Sequence, residues 1–322
     1  MASAKLRLTC ALPPSMAWAS LVRRSIEAWG PLPLRKTEVD WPAKMLKSYN
    51  SLDDMLSEKL LIVFWFFQRR EVFLSQERMT KWSRDRLDDY ILLPVTPGYV
   101  SRIDCFFVSH FWRTKDHPDP DGTYLRLHQQ ELSWQPWLYI WTDWTCMPQH
   151  PRSPVEEVYF LRTLGTMSAI IRNCGFSWFY PPFEARLWIL YEVAEHTLTA
   201  EGGLLRTSDI QIFLDHIGEM GREGVRATLA KYGYTCSYSR DAEFLTSWLE
   251  LLFLLRRIPL DLDYARKILD ELTWRPTGTK LFQTSEGILK LSADDGTLVL
   301  AGKHYTFTPF PIWVGLSVLC HW

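Results

Sequence analysis

Within SWFYPPFEARLWILYEVAEH, residues 177 to 196, one carboxylate stands in the least comfortable place in the chain. On a helix beginning near Glu184, Trp188 and Glu192 lie four residues apart and share a face, while Ile189, Leu190, Tyr191, Val193 and Ala194 surround them with apolar groups. A helix apolar nearly all round is predicted to be buried, where desolvation disfavours the charged carboxylate and raises its pKa. Two uses fit such a group: a structural ion pair with one of the chain's many arginines, or a role in chemistry. The chain carries no phosphate-cradling GxGxxG or GxxxxGK[ST] and no GxSxG nucleophile elbow. Cys146 and His150, with His117 and His128 nearby in sequence, match no zinc spacing, so no metal is expected.

The elements that must position Glu192 begin near residue 100, where Pro94, Pro97 and Gly98 mark a boundary. Beyond it, short apolar runs alternate with helical periods, the pattern of a parallel sheet covered by helices. Cys105 to Val108 is predicted as the first strand, ending in Ser109, His110, Phe111 and Trp112. A helix over Thr123 to Leu132 follows, then a second strand from Trp137 to Thr142 with Asp143 at its carboxyl end. Ser153, Pro154 and Glu156 supply an N-cap, a first-turn proline and a capping-box partner for the next helix, with Gly175 as its C-terminal stop. Phe176 to Tyr180 is the third strand, broken by Pro181 and Pro182 ahead of the Glu192 helix. Right-handed crossovers bring all three strand ends to one sheet edge, where open α/β sheets bind ligands.

Around this core the sequence is divided as 1–100, a helical N-terminal region; 101–200, the α/β domain; and 201–322, a mostly helical region ending in a β-hairpin. Ser51 is a helix N-cap in the first part, the apolar run from Leu60 to Phe67 reads as a buried helix turn or a strand, and the charged segment from Gln68 to Asp89 suits a solvated helix. In the last part, Gly202 and Gly203 form a loop before helices over 208–220, 224–232, 242–257 and 261–274, and residues 288–291 and 297–300 form the hairpin. The apolar end, FPIWVGLSVLCHW, reads as an edge strand or a docked tail.

Composition narrows the function. With 36 basic against 37 acidic side chains in 322 residues, the electrostatic footprint of a nucleic-acid binder is missing. Sixteen tryptophans must line a core, a groove or an interface, because each needs apolar cover and a partner for its indole N–H. The six scattered cysteines form no disulfide framework and read as reduced, which places the protein in the cytoplasm. No run is long enough to span a bilayer, and Pro13 and Pro14 interrupt an N-terminus that loosely resembles a signal peptide.

Three stretches carry a family resemblance. CFFVSHFW resembles the first strand and loop of a Toll/interleukin-1 receptor (TIR) domain, a hydrophobic strand running into a serine. YIWTDWTCMPQ resembles the second strand with its terminal aspartate, and also the Trp-x-Asp, cysteine and glutamine pattern of fungal heterokaryon-incompatibility (HET) domains. RLWILYEVA resembles the TIR helix in which a tryptophan precedes, by four residues, the glutamate of the NAD-cleaving members; the Ser-x-Trp-Cys version of that motif is here Ala185-Arg186-Leu187-Trp188-Ile189, so its serine and cysteine are absent. The resemblance covers residues 104 to 200 and implies a TIR-like (flavodoxin-like) parallel α/β core, although the fold's fourth and fifth strands have no clear place in the helical second half.

What the resemblance implies is an intracellular NAD glycohydrolase, which cleaves the N-glycosidic link between nicotinamide and ribose, with NAD as substrate and no other cofactor. The leaving base is already cationic and departs neutral, so the difficulty lies in positive charge developing on the ribose. A carboxylate fixed beside that ring in a dry site stabilises the oxocarbenium-like transition state, and Glu192 is the residue for it. Trp188, Trp112 and Tyr180 are stacking surfaces or core; Ser109 and His110 lie where ribose or phosphates pass, or are structural; Asp143 contacts the nucleotide or caps its own loop. Self-association in immunity or cell-death signalling is implied as the trigger. The alternative is a non-catalytic TIR/HET-like protein-interaction module.

Overall fold

Phe64, Trp65, Phe66 and Phe67 are all buried, so both faces of this stretch lie in the core, and a run of that kind carries no period of two. It is a central strand. The computed structural model describes residues 14–30, 40–59, 63–180, 182–200, 204, 207–274 and 277–311. Pro181, Gly202, Gly203, Leu60 to Ile62, Cys10, Cys320 and the chain end from residue 312 lie outside the described residues.

The described residues begin with helices α1 (Pro14–Trp29), α2 (Asp40–Ser48) and α3 (Leu52–Ser57), the last capped as expected by Ser51, which accepts from the Asp54 amide at 3.2 Å. Strand β1 (Phe64–Arg69), the short helix α4 (Arg70–Ser75), a 3-10 turn over Arg84–Asp89 and strand β2 (Tyr90–Pro94) follow. The N-terminal region is therefore not purely helical, and the charged stretch 68–89 is no single solvated helix. Next come β3 (Cys105–His110), α5 (Thr123–Leu132), β4 (Tyr139–Trp141), α6 (Asp143–Cys146), α7 (Pro154–Asn173), β5 (Gly175–Phe179) and α8 (Leu187–Thr199). The capping box on α7 is present, with Ser153 and Glu156 each bonding the other's backbone amide. Gly175 opens β5 instead of ending α7. A side chain there would set its Cβ 2.7 Å from the Phe106 ring, so glycine is what lets β3 and β5 pair at that point.

The five strands form one mixed sheet in the order β2-β1-β4-β3-β5. The three strands expected from the sequence are its parallel part, with β3 between β4 and β5. β1 joins β2 and β4 antiparallel, so the sheet is not the wholly parallel one anticipated. α1 lies along the outer edge of β2. Its Trp29 indole donates to the Leu92 carbonyl at 2.8 Å, Ser25 Oγ accepts from the Leu92 amide at 2.9 Å, and Arg24 Nε donates to the Tyr90 carbonyl at 3.0 Å.

Strand alternation divides the core. Phe106 and Val108 pack with Tyr124, Leu125 and Trp137 on the α5 side, while Cys105 and Phe107 join the larger core on the α7 and α8 side.

The C-terminal half supplies helices α9 (Ser208–Glu223), α10 (Val225–Tyr232), α11 (Ser239–Arg257) and α12 (Leu262–Trp274), close to the spans read from their apolar periods. α8 is enclosed by α7, α9 and α11, which accounts for its being apolar nearly all round. The expected hairpin is the middle of a four-stranded antiparallel sheet, β6 (Thr279–Thr284), β7 (Gly287–Ser292), β8 (Thr297–Leu300) and β9 (Lys303–Thr306), paired in sequence order. Cys105, Cys146 and Cys174 are free thiols in the core, and Cys236 is free and half-buried. No described helix is long and apolar enough to cross a membrane.

Candidate functional site

Glu192 lies in the second turn of α8 and only 9% of its surface is exposed. Its partner is Ser109, near the carboxyl end of β3, whose hydroxyl donates to the Glu192 carboxyl. Among the described residues no arginine, lysine or histidine pairs with it. Burial therefore dominates and pushes its pKa up to about 8, against the opposing pull of the Ser109 hydrogen bond, with the charge of Asp143 adding to the rise. At neutral pH the group is mostly the neutral acid.

The ion pair that the sequence offered as the plainer explanation exists three residues farther on. Glu195 is fully buried and takes Arg172 of α7; Arg172 also bonds Asp270 of α12, and the Trp248 indole of α11 donates to Glu195 at 2.6 Å. A buried charge is tolerated there because both Glu195 oxygens and all three Arg172 guanidinium nitrogens have partners. The network ties the C-terminal helices to α7 and α8.

The other expected residues separate into two groups. Ser109 and His110 are neighbours on one strand, so their side chains leave opposite faces of the sheet. Ser109 faces α8. His110 faces α5, its ring 6.0 Å from that of Tyr124 and 6.4 Å from that of His128. Both ring nitrogens of His110 are buried without a hydrogen bond, and Nε2 is 3.9 Å from Asp143 Oδ1. Burial lowers its pKa, opposed by Asp143 and Asp119, so the imidazole is neutral. His128, which shares a 2.7 Å hydrogen bond with Ser177, is driven down to about 3 by burial.

Asp143 is the bridge between loops at the sheet edge. It accepts from the Trp112 indole at 2.7 Å and from the Trp144 amide at 2.6 Å, so it holds the β3 and β4 loops together and leaves Trp112 edge-on to Trp144. Trp188 is turned to α11, where its indole donates to Asp241 at 3.3 Å, and its ring packs edge-on to Tyr191. Of the stacking candidates only Tyr180 stands with Glu192. Its hydroxyl is buried without a well-formed hydrogen bond, close enough to Ser109 and Glu192 to feel both, and burial followed by the Glu192 charge raises its pKa well above the usual phenol value.

Residues outside the sequence motifs close the site. The Tyr180 ring touches Phe111 at 5.5 Å and Phe213 of α9 at 5.3 Å, and Phe183 continues the stack at 5.1 Å from Phe213. α9 is fastened at this edge by Asp209, which accepts from the Tyr180 amide at 3.2 Å, and by Thr207, which accepts from the Trp178 indole at 3.2 Å. The available signal was the stripe Ile210, Phe213, Ile217 and Met220, which requires α9 to pack on something without saying on what. Among the described residues no three His, Cys, Asp or Glu side chains gather to hold a metal ion.

Compared with known proteins, the chain matches no family model, no curated protein and no solved structure.

Proposed function

We propose that the chain is a TIR-like intracellular enzyme that cleaves the nicotinamide–ribose bond of NAD or a related nucleotide, with Glu192 as the carboxylate at the reacting ring and Ser109 holding it. One observation carries this reading: a carboxyl buried at the carboxyl end of the central parallel strand, without a protein cation among the described residues, while its neighbour Glu195 has one. An ionised carboxylate at such depth needs a counter-charge, and without one the group stays protonated. A substrate whose nicotinamide is cationic supplies that charge on arrival.

The chemistry follows from that exchange. Approach of the cationic ring lowers the pKa of Glu192, and its proton leaves to solvent. As the glycosidic bond breaks, its electron pair goes to the nicotinamide nitrogen, which becomes neutral. The carboxylate then faces the positive charge spreading over ribose, and its attraction is greatest in the transition state. Water adds to the anomeric carbon and loses a proton, so NAD and water give ADP-ribose, nicotinamide and one proton.

A second reading has its own support. The rings of Phe111, Tyr180 and Phe213 close the sheet edge, and an interaction module without catalysis needs no entrance there. One assay separates the two. Purified chain is incubated with NAD and nicotinamide is measured, beside Glu192→Gln and Glu192→Ala. Release by the native chain that both variants lose supports the enzyme. No release at high protein concentration, or release equal in all three, leaves the module, whose self-association by size exclusion is independent of Glu192.

A further inference from the structure

At the opposite edge of the sheet from Glu192, where β4 begins and β1 ends, Arg24, Arg69 and Arg70 line a cavity of ≈ 540 Å³ with an apolar floor that includes Leu74, Ile91 and Trp137. Neutral carbonyls hold all three guanidiniums, and Arg24 and Arg69 each meet one carboxylate besides. Arg24 Nη2 donates to Leu87 O at 2.7 Å, Arg69 Nη1 to Asp88 O at 3.0 Å, and Arg70 Nη2 to Ser133 O at 2.7 Å, with Arg70 also lying over the Trp137 ring. Carbonyls fix the geometry and leave the charge in place. Glu71, on Arg69, is the one carboxylate in the lining, and the Asp88 carboxylate reaches Arg24 from outside at 3.3 Å. Burial lowers the pKa of Arg24, and Arg69 lowers it further against the pull of Asp88, as expected for like charges held near one another.

We propose that this cavity is a second binding site, which takes a small oxyanion carried on an apolar body, of which an aryl phosphate is the simplest example. A guanidinium has five N–H donors, and the contacts above use only part of each set. Arg70 Nε is buried without any partner. Oxygen atoms of a phosphate meet such donors in pairs, and the rigid placement means that little side-chain freedom is lost on binding. The cavity is of the size that small ligands fill, and its apolar floor removes the organic part from water. None of this depends on the reading of Glu192.

The test is calorimetric titration of the full chain with phenyl phosphate, with inorganic phosphate and phenol as separate probes. Phenyl phosphate is expected to bind at or below about 1 mM and at least about tenfold more tightly than either half of it alone. Its affinity falls as salt is raised. Leu74→Glu, which adds a carboxylate to the lining while keeping every arginine contact, weakens binding by about tenfold or more, as does Arg69→Gln. Glu192→Gln leaves it unchanged. The proposal is overturned by no heat from phenyl phosphate, by equal affinity for inorganic phosphate, by binding indifferent to Leu74→Glu and Arg69→Gln, or by binding lost in Glu192→Gln.

Discussion

Glu195 stands one turn beyond Glu192 on α8 and holds the arginine that Glu192 lacks. Two carboxyl groups on one buried helix thus have opposite situations, one paired and braced, the other neutral and served by a serine. Substitution should tell them apart. Glu195→Gln leaves Arg172 with less than its full counter-charge and is expected to cost about 3–5 kcal/mol in urea denaturation. Glu192→Gln is expected to stay within about 1 kcal/mol at pH 6, since it replaces one neutral group by another of the same shape. Equal losses in the two would mean that Glu192 is a structural ion after all.

The pH dependence has a definite sign. The carboxyl of Glu192 rises from the usual 4.5 to about 8 in the folded chain, so its contribution to stability is complete below about 4.5 and is lost as pH rises through 8. Between those limits this group alone lowers stability by up to about 1.4 kcal/mol per pH unit, and Glu192→Gln should flatten that slope. Denaturation midpoints at pH 6, 7, 8 and 9 measure it. The same ionisation should make kcat/KM for nicotinamide release climb from pH 6 to a plateau above about 8, because the free enzyme must give up that proton. A profile that falls over this range contradicts the proposed role.

His110 predicts the reverse of what its place in the sequence suggests. It lies on the α5 face, neutral and with both ring nitrogens unbonded, so His110→Phe removes buried polar atoms and should stabilise the fold by about 1 kcal/mol. Nicotinamide release should change less than about twofold, since the ring makes no contact with the Glu192 face. Loss of release with stability intact would place His110 back in the chemistry.

Phe213 is the piece of the aromatic cover that comes from outside the α/β core. Phe213→Ala should lower stability by about 3–5 kcal/mol and, at a temperature where the variant stays folded, raise nicotinamide release per molecule by opening the way to Glu192. Release that drops in proportion to folded protein would show that the cover is core packing alone.

The elements that were legible in the sequence are those with local signals. α5 and α7 begin where a turn and a capping box say they should, and the three parallel strands end in the residues that cross to their loops. β1 was ambiguous because four consecutive aromatic residues have no period, and β2 could be recognised only through its pairing with β1. The separation of Ser109 from His110 was missed because the strand reads as ending at Val108, whereas β3 runs on to His110 and alternation then sends the two side chains to opposite faces. That Glu195 rather than Glu192 meets Arg172 was not readable, since the choice depends on how α7 turns against α8. Nor was Phe213, whose partners Phe111 and Tyr180 are more than thirty residues away in the chain.

The three side chains that α1 lays on β2 occupy the outward amide and carbonyl of Leu92 and the carbonyl of Tyr90, positions where a further strand would attach. The sheet therefore ends in indole, hydroxyl and guanidinium instead of open main chain. Copies of the protein cannot polymerise by adding strand to strand at this margin without first peeling away the helix. Whatever assemblies the chain enters along that side must be written in side chains, and so can be specific to sequence in a way that shared backbone is not.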